Sequence, residues 1–268
     1  MNRTEKRMVD HLLDMADKYN VVGVKAEFEA EGTRLEEAMR LKEVSEKAGL
    51  GLTLKVGGCE AIKDMFEASS LGVRYLVAPM VETAYALKKY LAAVKFAFSD
   101  EQQADMDFLI NLETKTACDN FDEMLSLADI GLLSGVVLGR VDLSGSLGLS
   151  REAINTPQIL EICLAMSAKA KERGLDVVIG GGVSADSIPF FNAFPPGHLD
   201  RFETRKVVFG CPGAIANPKT AYLKAVEFEL MWLRNKREYY GAIFREDDAR
   251  MALMETRYKA SIEALSNS

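Results

Sequence analysis

Two stretches, Leu109-Ile-Asn-Leu-Glu-Thr114 and Val136-Val-Leu-Gly-Arg-Val-Asp-Leu-Ser-Gly-Ser-Leu-Gly148, decide the fold of this chain. Each begins as an apolar run of strand length and then reaches a carboxylate, Glu113 or Asp142. Buried parallel strands have this pattern, and their carboxyl ends meet at one rim of the sheet. Acids with no His or Cys beside them suit Mg²⁺ or Mn²⁺. We therefore predict a divalent metal held by Glu113 and Asp142 at two strand ends. On spacing alone, helix capping or salt bridging by the same acids is equally consistent.

Predicted strands and helices alternate on both sides of these stretches, which is typical of parallel βαβ units. The predicted strands are 21–29, 51–56, 73–79, 107–113, 135–141, 176–180 and 203–209, and the predicted helices are 2–19, 34–48, 60–70, 118–129 and 156–173. Residues 83–98 fit either one long helix or a helix followed by a strand at 93–98. With that strand the count is eight, which closes a (β/α)₈ TIM barrel. Without it an open doubly wound sheet remains, but no G-x-G-x-x-G follows the first strand. We favour the barrel, within the α/β class.

The chain is predicted to consist of a barrel domain, residues 1–218, and a helical extension, residues 219–268. The extension contains two predicted helices, 219–239 and 246–265, with more apolar side chains than a helix-covered barrel wall can bury. Exposed apolar patches usually mark interfaces. We expect a homo-oligomer, a trimer or hexamer before a dimer, with the extension at the interface. The alternative is that these helices cover the bottom of their own barrel.

Composition narrows the range of partners. The 268 residues carry a formal net charge of -7 and the sequence pI is about 5.1, which disfavours a nucleic-acid surface. Neither a membrane-spanning run nor a signal peptide is visible, so we expect a cytoplasmic protein without a membrane partner. The four cysteines are far apart and indicate neither a zinc site nor a disulfide framework. A small-molecule substrate is the expected partner.

Several polar residues accompany Glu113 and Asp142 at the predicted rim: Lys25, Glu27, Glu29, Glu31, Lys55, Glu82, Arg140 and Ser144. These charges are too many for a packed core, since an unpaired buried charge is costly. They indicate a binding or catalytic site, although Lys25, Lys55 and the three glutamates could equally form an internal ion-pair network. The glycine-rich segment 180–184 fits a tight turn or an anion-binding loop.

Three motifs carry a family resemblance: Val-Ala-Pro-Met-Val-Glu-Thr at 77–83, Asn-Leu-Glu-Thr at 111–114 and Leu-Gly-Arg-Val-Asp-Leu-Ser-Gly-Ser-Leu-Gly at 138–148. In this order they resemble the HpcH/HpaI aldolase and citrate lyase beta-chain family, which belongs to the phosphoenolpyruvate/pyruvate-binding TIM barrels. The resemblance implies a modified (β/α)₈ barrel in which Glu113 and Asp142 hold Mg²⁺ or Mn²⁺. It also implies a carbon–carbon lyase of the class II aldolase type, which cleaves or forms a 2-keto acid through a pyruvate-like enolate.

The chain departs from the family pattern at three places. Lys55 stands where relatives usually have an arginine that holds the substrate carboxylate, and Arg140 stands where they usually have a proline. Segment 27–31 lacks the usual histidine, so the base would be Glu29, Glu31 or a metal-bound water, and proton transfer is assigned to Glu29. The expected catalytic residues are Glu29, Lys55 and Arg140, and the expected substrate-binding residues are Lys25, Lys55, Glu82 and Ser144. A CoA-ester lyase of the citrate lyase beta type and a non-catalytic 2-keto-acid-binding barrel are the alternatives.

Overall fold

A closed eight-stranded barrel forms the body of the protein in the computed structural model, which describes residues 1–216 and 218–266. The strands follow one another around the barrel in chain order. They are β1 (Val21–Glu27), β2 (Gly51–Lys55), β3 (Tyr75–Ala78), β4 (Asp107–Leu112), β5 (Gly135–Gly139), β6 (Asp176–Gly180), β7 (Arg201–Glu203) and β8 (Val207–Gly210). The predicted TIM-barrel fold is confirmed.

Helices separate most of the strands. They are α1 (Arg3–Tyr19), α2 (Leu35–Lys47), α3 (Ile62–Leu71), α4 (Ala84–Ala97), α5 (Asp100–Asp105), α6 (Lys115–Asp119), α7 (Phe121–Leu125), α8 (Arg140–Ser146), α9 (Pro157–Glu172), α10 (Ile188–Asn192) and α11 (Pro218–Ser266). Local signals set several of their starts: Asn2 and Glu5 form a capping box on α1, and the Thr83 and Thr114 hydroxyls accept from amides in the first turns of α4 and α6. Such caps satisfy amides that lack a partner within the helix.

The prediction of a strand at 93–98 is wrong, although the count of eight is correct. Residues 84–97 form the single helix α4, whose Tyr90, Leu91 and Val94 are buried at helical spacing. The missing strand comes instead from the end of the barrel. The sequence predicts one strand over 203–209, whereas the structure has β7 and β8 joined by a turn in which the Thr204 amide donates to the Val207 carbonyl at 2.9 Å.

The predicted all-parallel sheet is also corrected at this turn. Strand β8 pairs antiparallel with β7 and antiparallel with β1, while the other neighbours are parallel. A hairpin turn reverses the chain, so β8 must run against β7. The barrel closes through this reversed strand.

The interior of the barrel changes from apolar to polar along the strands. Val77, Leu109, Val137 and Val178, on four adjacent strands, form a buried apolar cluster. Side chains alternate in direction along a strand, so the residues two positions further along β4, β5 and β6 also point inward: Asn111, Gly139 and Gly180. A polar layer with two positions that lack side chains therefore lies above the apolar cluster.

The chain forms two compact units, Met1–Glu229 and a second that begins at Leu230. The sequence predicts two helices after residue 218, but α11 is continuous from Pro218 to Ser266. Residues 240–245 contain one glycine and no proline, so nothing in them removes a helical hydrogen bond. The functional division after residue 218 stays a prediction. Across residues 1–216 and 218–266, no helix combines the length and apolar character needed to cross a membrane.

Candidate active site

Glu113 is the most closely confined acid at the carboxyl end of the barrel. It follows β4 directly and is 2% exposed. One carboxylate oxygen accepts from the Met80 backbone amide at 3.0 Å, and the other accepts from the Asn111 side-chain amide at 2.7 Å. A Cβ added to Gly139 on the adjacent strand would lie 2.7 Å from both Cβ and Oε2 of Glu113. Only a glycine at 139 leaves room for this carboxylate.

The backbone of Met80 is held in an unusual conformation to make its contact with Glu113. Met80 has a φ of 51°, in the left-handed region that non-glycine residues rarely adopt. Its amide points at Glu113, and its own side chain is exposed. Strained residues of this kind persist where the surrounding structure fixes them, and they cluster at functional sites.

Asp142 lies in a different local structure from the predicted one. Strand β5 ends at Gly139, so Asp142 is in the first turn of α8 and not at a strand end. Its side chain is exposed. Asp142 nevertheless acts electrostatically on Glu113: burial raises the pKa of the Glu113 carboxyl, and the charge of Asp142 adds to that increase. The Met80 amide, Lys55 and Asn111 only partly offset these effects.

The donor set at Glu113 fits a hard divalent cation. Glu113 forms no ion pair with any residue in 1–216 or 218–266, and the Oδ1 atom of the buried Asn111 has no hydrogen-bond partner there. Within the same ranges no cluster of three or more His, Cys, Asp or Glu side chains suits a metal. Mg²⁺ does not need such a cluster, because it usually binds one or two carboxylates and keeps several waters. Glu113 and Asp142 match that requirement.

An ion-pair network occupies another part of the same polar layer. The Lys25 ammonium pairs with Glu203 and lies 2.9 Å from Glu27. The Lys55 ammonium lies 2.8 Å from Glu29 and 3.8 Å from Glu27. We call these five residues the lysine network. Four of them are buried, and Glu29 is partly exposed. Of the two interpretations of these charges, the internal ion-pair network is present for Lys25, Lys55, Glu27 and Glu29. Glu31 is not part of it, because its carboxylate pairs with Lys206 and lies 3.7 Å from the Arg205 guanidinium.

The lysines of this network remain charged despite their burial. Burial by itself lowers the pKa of Lys25, but the charges of Glu203 and Glu27 outweigh it and raise that pKa overall. The same holds for the pKa of Lys55, where the hydrogen bond to Glu29 and the charge of Glu27 outweigh burial. For Glu27, burial is again outweighed, here by Lys25 and then Lys55, so its pKa is lowered. Glu27 and the two lysines therefore stabilise each other as ions, although the two lysines repel each other.

Arg140 is fully buried and engaged by the protein itself. Its guanidinium donates to the carbonyls of Gly180 and Gly181 at 3.2 and 2.9 Å and to Asn155 Oδ1 at 2.6 Å. It also lies over the Phe190 ring, 4.8 Å from the centroid. Burial lowers its pKa to about 10. These contacts join the start of α8 to the loop after β6, and its substrate contact stays a prediction.

The remaining predicted residues lie in two settings. Glu82 accepts a hydrogen bond from the Thr114 hydroxyl at 2.8 Å, which ties the loop after β3 to the loop after β4. Ser144 is fully buried in α8, and its hydroxyl has no partner within the described ranges. The glycine-rich segment forms a tight turn in which Gly181 and Gly182 have φ values of 77° and 64°. An added Cβ at Gly181 would lie 2.7 Å from the Val141 amide nitrogen, so this turn packs directly on α8.

Three contributors to the site carry no role in the sequence prediction. Asn111 shares the inward face of β4 with Glu113, so the two-residue alternation could have identified it. Glu203 was assigned only to a strand, and its contact with Lys25 joins residues far apart in the chain. The left-handed conformation of Met80 has no sequence signal, since glycine or asparagine would be expected there.

Comparisons with known proteins agree with this architecture. The family model described as HpcH/HpaI aldolase/citrate lyase matches residues 36–186, more than half of the chain. A solved HpcH/HpaI aldolase/citrate lyase family protein from Burkholderia cenocepacia J2315 is 16% identical with a TM-score of 0.55, covering 72% of this chain and 90% of its own.

Two structures of citrate synthase SbnG are also similar in fold. The SbnG protein is 15% identical with a TM-score of 0.59, covering 83% of this chain and 89% of its own. A variant of SbnG is 16% identical with a TM-score of 0.55, covering 83% and 90%. A search of curated proteins finds no match.

Proposed function

Because the chain belongs to the HpcH/HpaI aldolase/citrate lyase family, we propose that it cleaves or forms a carbon–carbon bond of a 2-keto acid through a pyruvate-like enolate, with Mg²⁺ or Mn²⁺. The family match also confirms the resemblance carried by the three sequence motifs. Family proteins act on carbon–carbon bonds as lyases and synthases. The reaction class, the metal and the residue roles are our proposal.

One observation carries the proposal: Glu113 is a buried acid that pairs with no cationic side chain in the described part of the chain, and it feels the charge of Asp142. An unpaired buried charge is costly, so such an arrangement is maintained where a ligand or a reaction uses it. In the proposal, Glu113 and Asp142 hold the divalent cation. When bound, the cation supplies positive charge that stabilises the enolate as the carbon–carbon bond breaks.

Lys55 and Glu29 are the proposed substrate and proton-transfer residues. The Lys55 ammonium donates to Glu29 at 2.8 Å and also acts electrostatically on Glu113. A substrate carboxylate at Lys55 would compete with Glu29 for the ammonium. Glu29 is partly exposed and, once released, is free to exchange a proton with the substrate. Lysine offers a point charge here, where a bidentate arginine fork would give stricter orientation.

Arg140 and Lys25 are assigned supporting roles in this proposal. Arg140 fixes the start of α8, the helix that carries Asp142, against the loop after β6. Lys25 pairs with both Glu203 and Glu27, which supports a part in holding β1 and β7 together and disfavours direct substrate binding. Glu82 holds the loop that carries Met80.

The test is exchange of the methyl protons of pyruvate in deuterated water with Mn²⁺, followed by NMR. This assay reports enolate formation and does not require the natural aldehyde. We expect exchange by the wild type and a loss of about 10³-fold in Glu113→Gln, typical of removing charge stabilisation. Glu203→Gln is the matched control, since it also replaces a buried glutamate, and it should retain most of the rate. Exchange by Glu113→Gln at the wild-type rate would overturn the proposal.

A further inference from the structure

The distal part of α11 presents a long exposed surface. Residues 242–266, which we call the distal helix, are all exposed. Large apolar side chains are nevertheless frequent in it, and Phe244, Met254 and Tyr258 are 67%, 63% and 67% exposed. A helix that is exposed all round gains no stability from packing, and one rich in large apolar residues is costly in water. The distal helix therefore has the composition of a segment that packs on something.

Most of the large apolar residues of the distal helix lie on one side, whereas Leu253 lies on the opposite side and Ile243 at the edge. Phe244, Met251 and Tyr258 are seven residues apart, and Met254 lies three residues after Met251. This is the a and d spacing of a coiled coil, and Leu265 continues the a positions, whereas Ile262 occupies the position that follows d. Ala249 and Thr256 lie on the opposite side. We call the first set the apolar stripe.

Charges flank the apolar stripe in an ordered way. Asp248 and Glu255 occupy the position that follows d, and Arg250 and Arg257 occupy the position that precedes a. In a parallel pair of helices these two flanks face each other across the interface, whereas in an antiparallel pair each flank faces its own kind. A parallel pair of identical helices thus places Arg250 next to Glu255 of the second copy.

We propose that the distal helix binds the same segment of a second copy of this chain, side by side and parallel, with the apolar stripe buried between them. Charge complementarity carries the choice of partner and orientation. A membrane surface is less well matched, since interfacial helices have a polar face dominated by lysine and arginine. Asp247 and Ser261 interrupt the d positions, so the pair should dissociate readily and not be permanent.

Cysteine cross-linking of the full-length protein tests the pairing. Phe244→Cys and Tyr258→Cys are made separately, oxidised and analysed by non-reducing electrophoresis, with the wild type as a blank for the four native cysteines. Both variants should form disulfide-linked dimers nearly completely. Ala249→Cys and Thr256→Cys, on the opposite side, are the matched controls and should remain single chains.

The other outcomes contradict the proposal. An antiparallel pair would cross-link at one of the two stripe positions at most. In a three-stranded bundle, disulfide formation would stop at about two thirds of the chains, because one chain of each three has no partner. A wild type that sediments as a single chain at micromolar concentration but binds anionic lipid vesicles would assign the stripe to a lipid surface. The double variant Met251→Lys/Met254→Lys should have a lower sedimenting mass than the wild type. The control double variant Ala249→Lys/Thr256→Lys should keep the wild-type mass. Equal masses for the two double variants would also overturn the proposal.

Discussion

Glu203 and Glu113 occupy similar places in the barrel but have different partners. Both are buried, and each carboxylate lies against an inward-facing glycine on a neighbouring strand, Gly180 or Gly139. Glu203 pairs with the Lys25 ammonium, whereas Glu113 accepts from two amide donors and forms no ion pair within residues 1–216 and 218–266. We therefore expect Glu203 to stabilise the fold and Glu113 to serve a ligand. Burial alone does not distinguish a functional carboxylate from a structural one. The presence or absence of a cationic partner does distinguish them.

Removing Lys25 should produce the largest effect, and it should be on stability. Lys25→Met leaves Glu203 and Glu27 as buried acids without their main counter-ion. Breaking a buried ion pair from one side costs about 3–5 kcal/mol. Urea unfolding measures the loss. A variant as stable as the wild type would show that the lysine network is not structural.

The two glycines allow a matched comparison of activity. Gly139→Ala places a methyl group 2.7 Å from Cβ of Glu113, an atom that cannot move away without the strand. Gly180→Ala places one 3.2 Å from Oε1 of Glu203, at the end of a flexible side chain. We expect Gly139→Ala to lose about 100-fold in pyruvate proton exchange, since small displacements of a catalytic group have effects of this size. Equal losses in the two variants would contradict the separate roles.

The pH dependence of stability should have opposite signs for Glu27 and Glu113. The pKa of Glu27 is lowered, so its stabilisation is present at neutral pH and is lost as the pH falls below the ordinary glutamate value. Glu27→Gln should therefore cost about 2 kcal/mol at neutral pH and progressively less in acid. The pKa of Glu113 is raised, so burying its charged form costs stability. The wild type should therefore lose stability relative to Glu113→Gln as the pH rises above the ordinary pKa of glutamate. The measurement is the free energy of unfolding of each variant relative to the wild type, as a function of pH and in the presence of a chelator. The same pH dependence for Glu27→Gln and Glu113→Gln would contradict this prediction.

Much of the barrel could be predicted from the sequence because its strands are short and strongly patterned. The inward alternation of β1 and β2 placed Lys25 and Lys55 on the polar face, and the apolar runs located β4 and β5. The errors fall where periodicity is ambiguous. Residues 93–98 belong to a helix, but their apolar pattern also fits a strand. Strands β7 and β8 have only three and four residues, so their sequence resembles one longer strand.

The site could be predicted only in part, because its motifs are local in the sequence whereas its ion pairs are not. The motifs located Glu113 and Asp142, but strand length alone placed Asp142 at a strand end when it belongs to α8. The pairing of each charged side chain with its counter-ion depends on contacts across the barrel, such as the contact of Lys25 with Glu203. Such contacts are set by strand order and register, so the sequence left both interpretations of the lysines open.

Whether Glu113 holds a divalent cation can be tested directly by Mn²⁺ binding, because this measurement does not depend on knowing the substrate. Mn²⁺ is titrated into the wild type, Glu113→Gln and Glu203→Gln, and the free ion is followed by electron paramagnetic resonance. We expect one Mn²⁺ per wild-type chain, an affinity about 100-fold lower in Glu113→Gln and near-wild-type affinity in Glu203→Gln. Equal Mn²⁺ affinity in Glu113→Gln and the wild type would contradict this expectation.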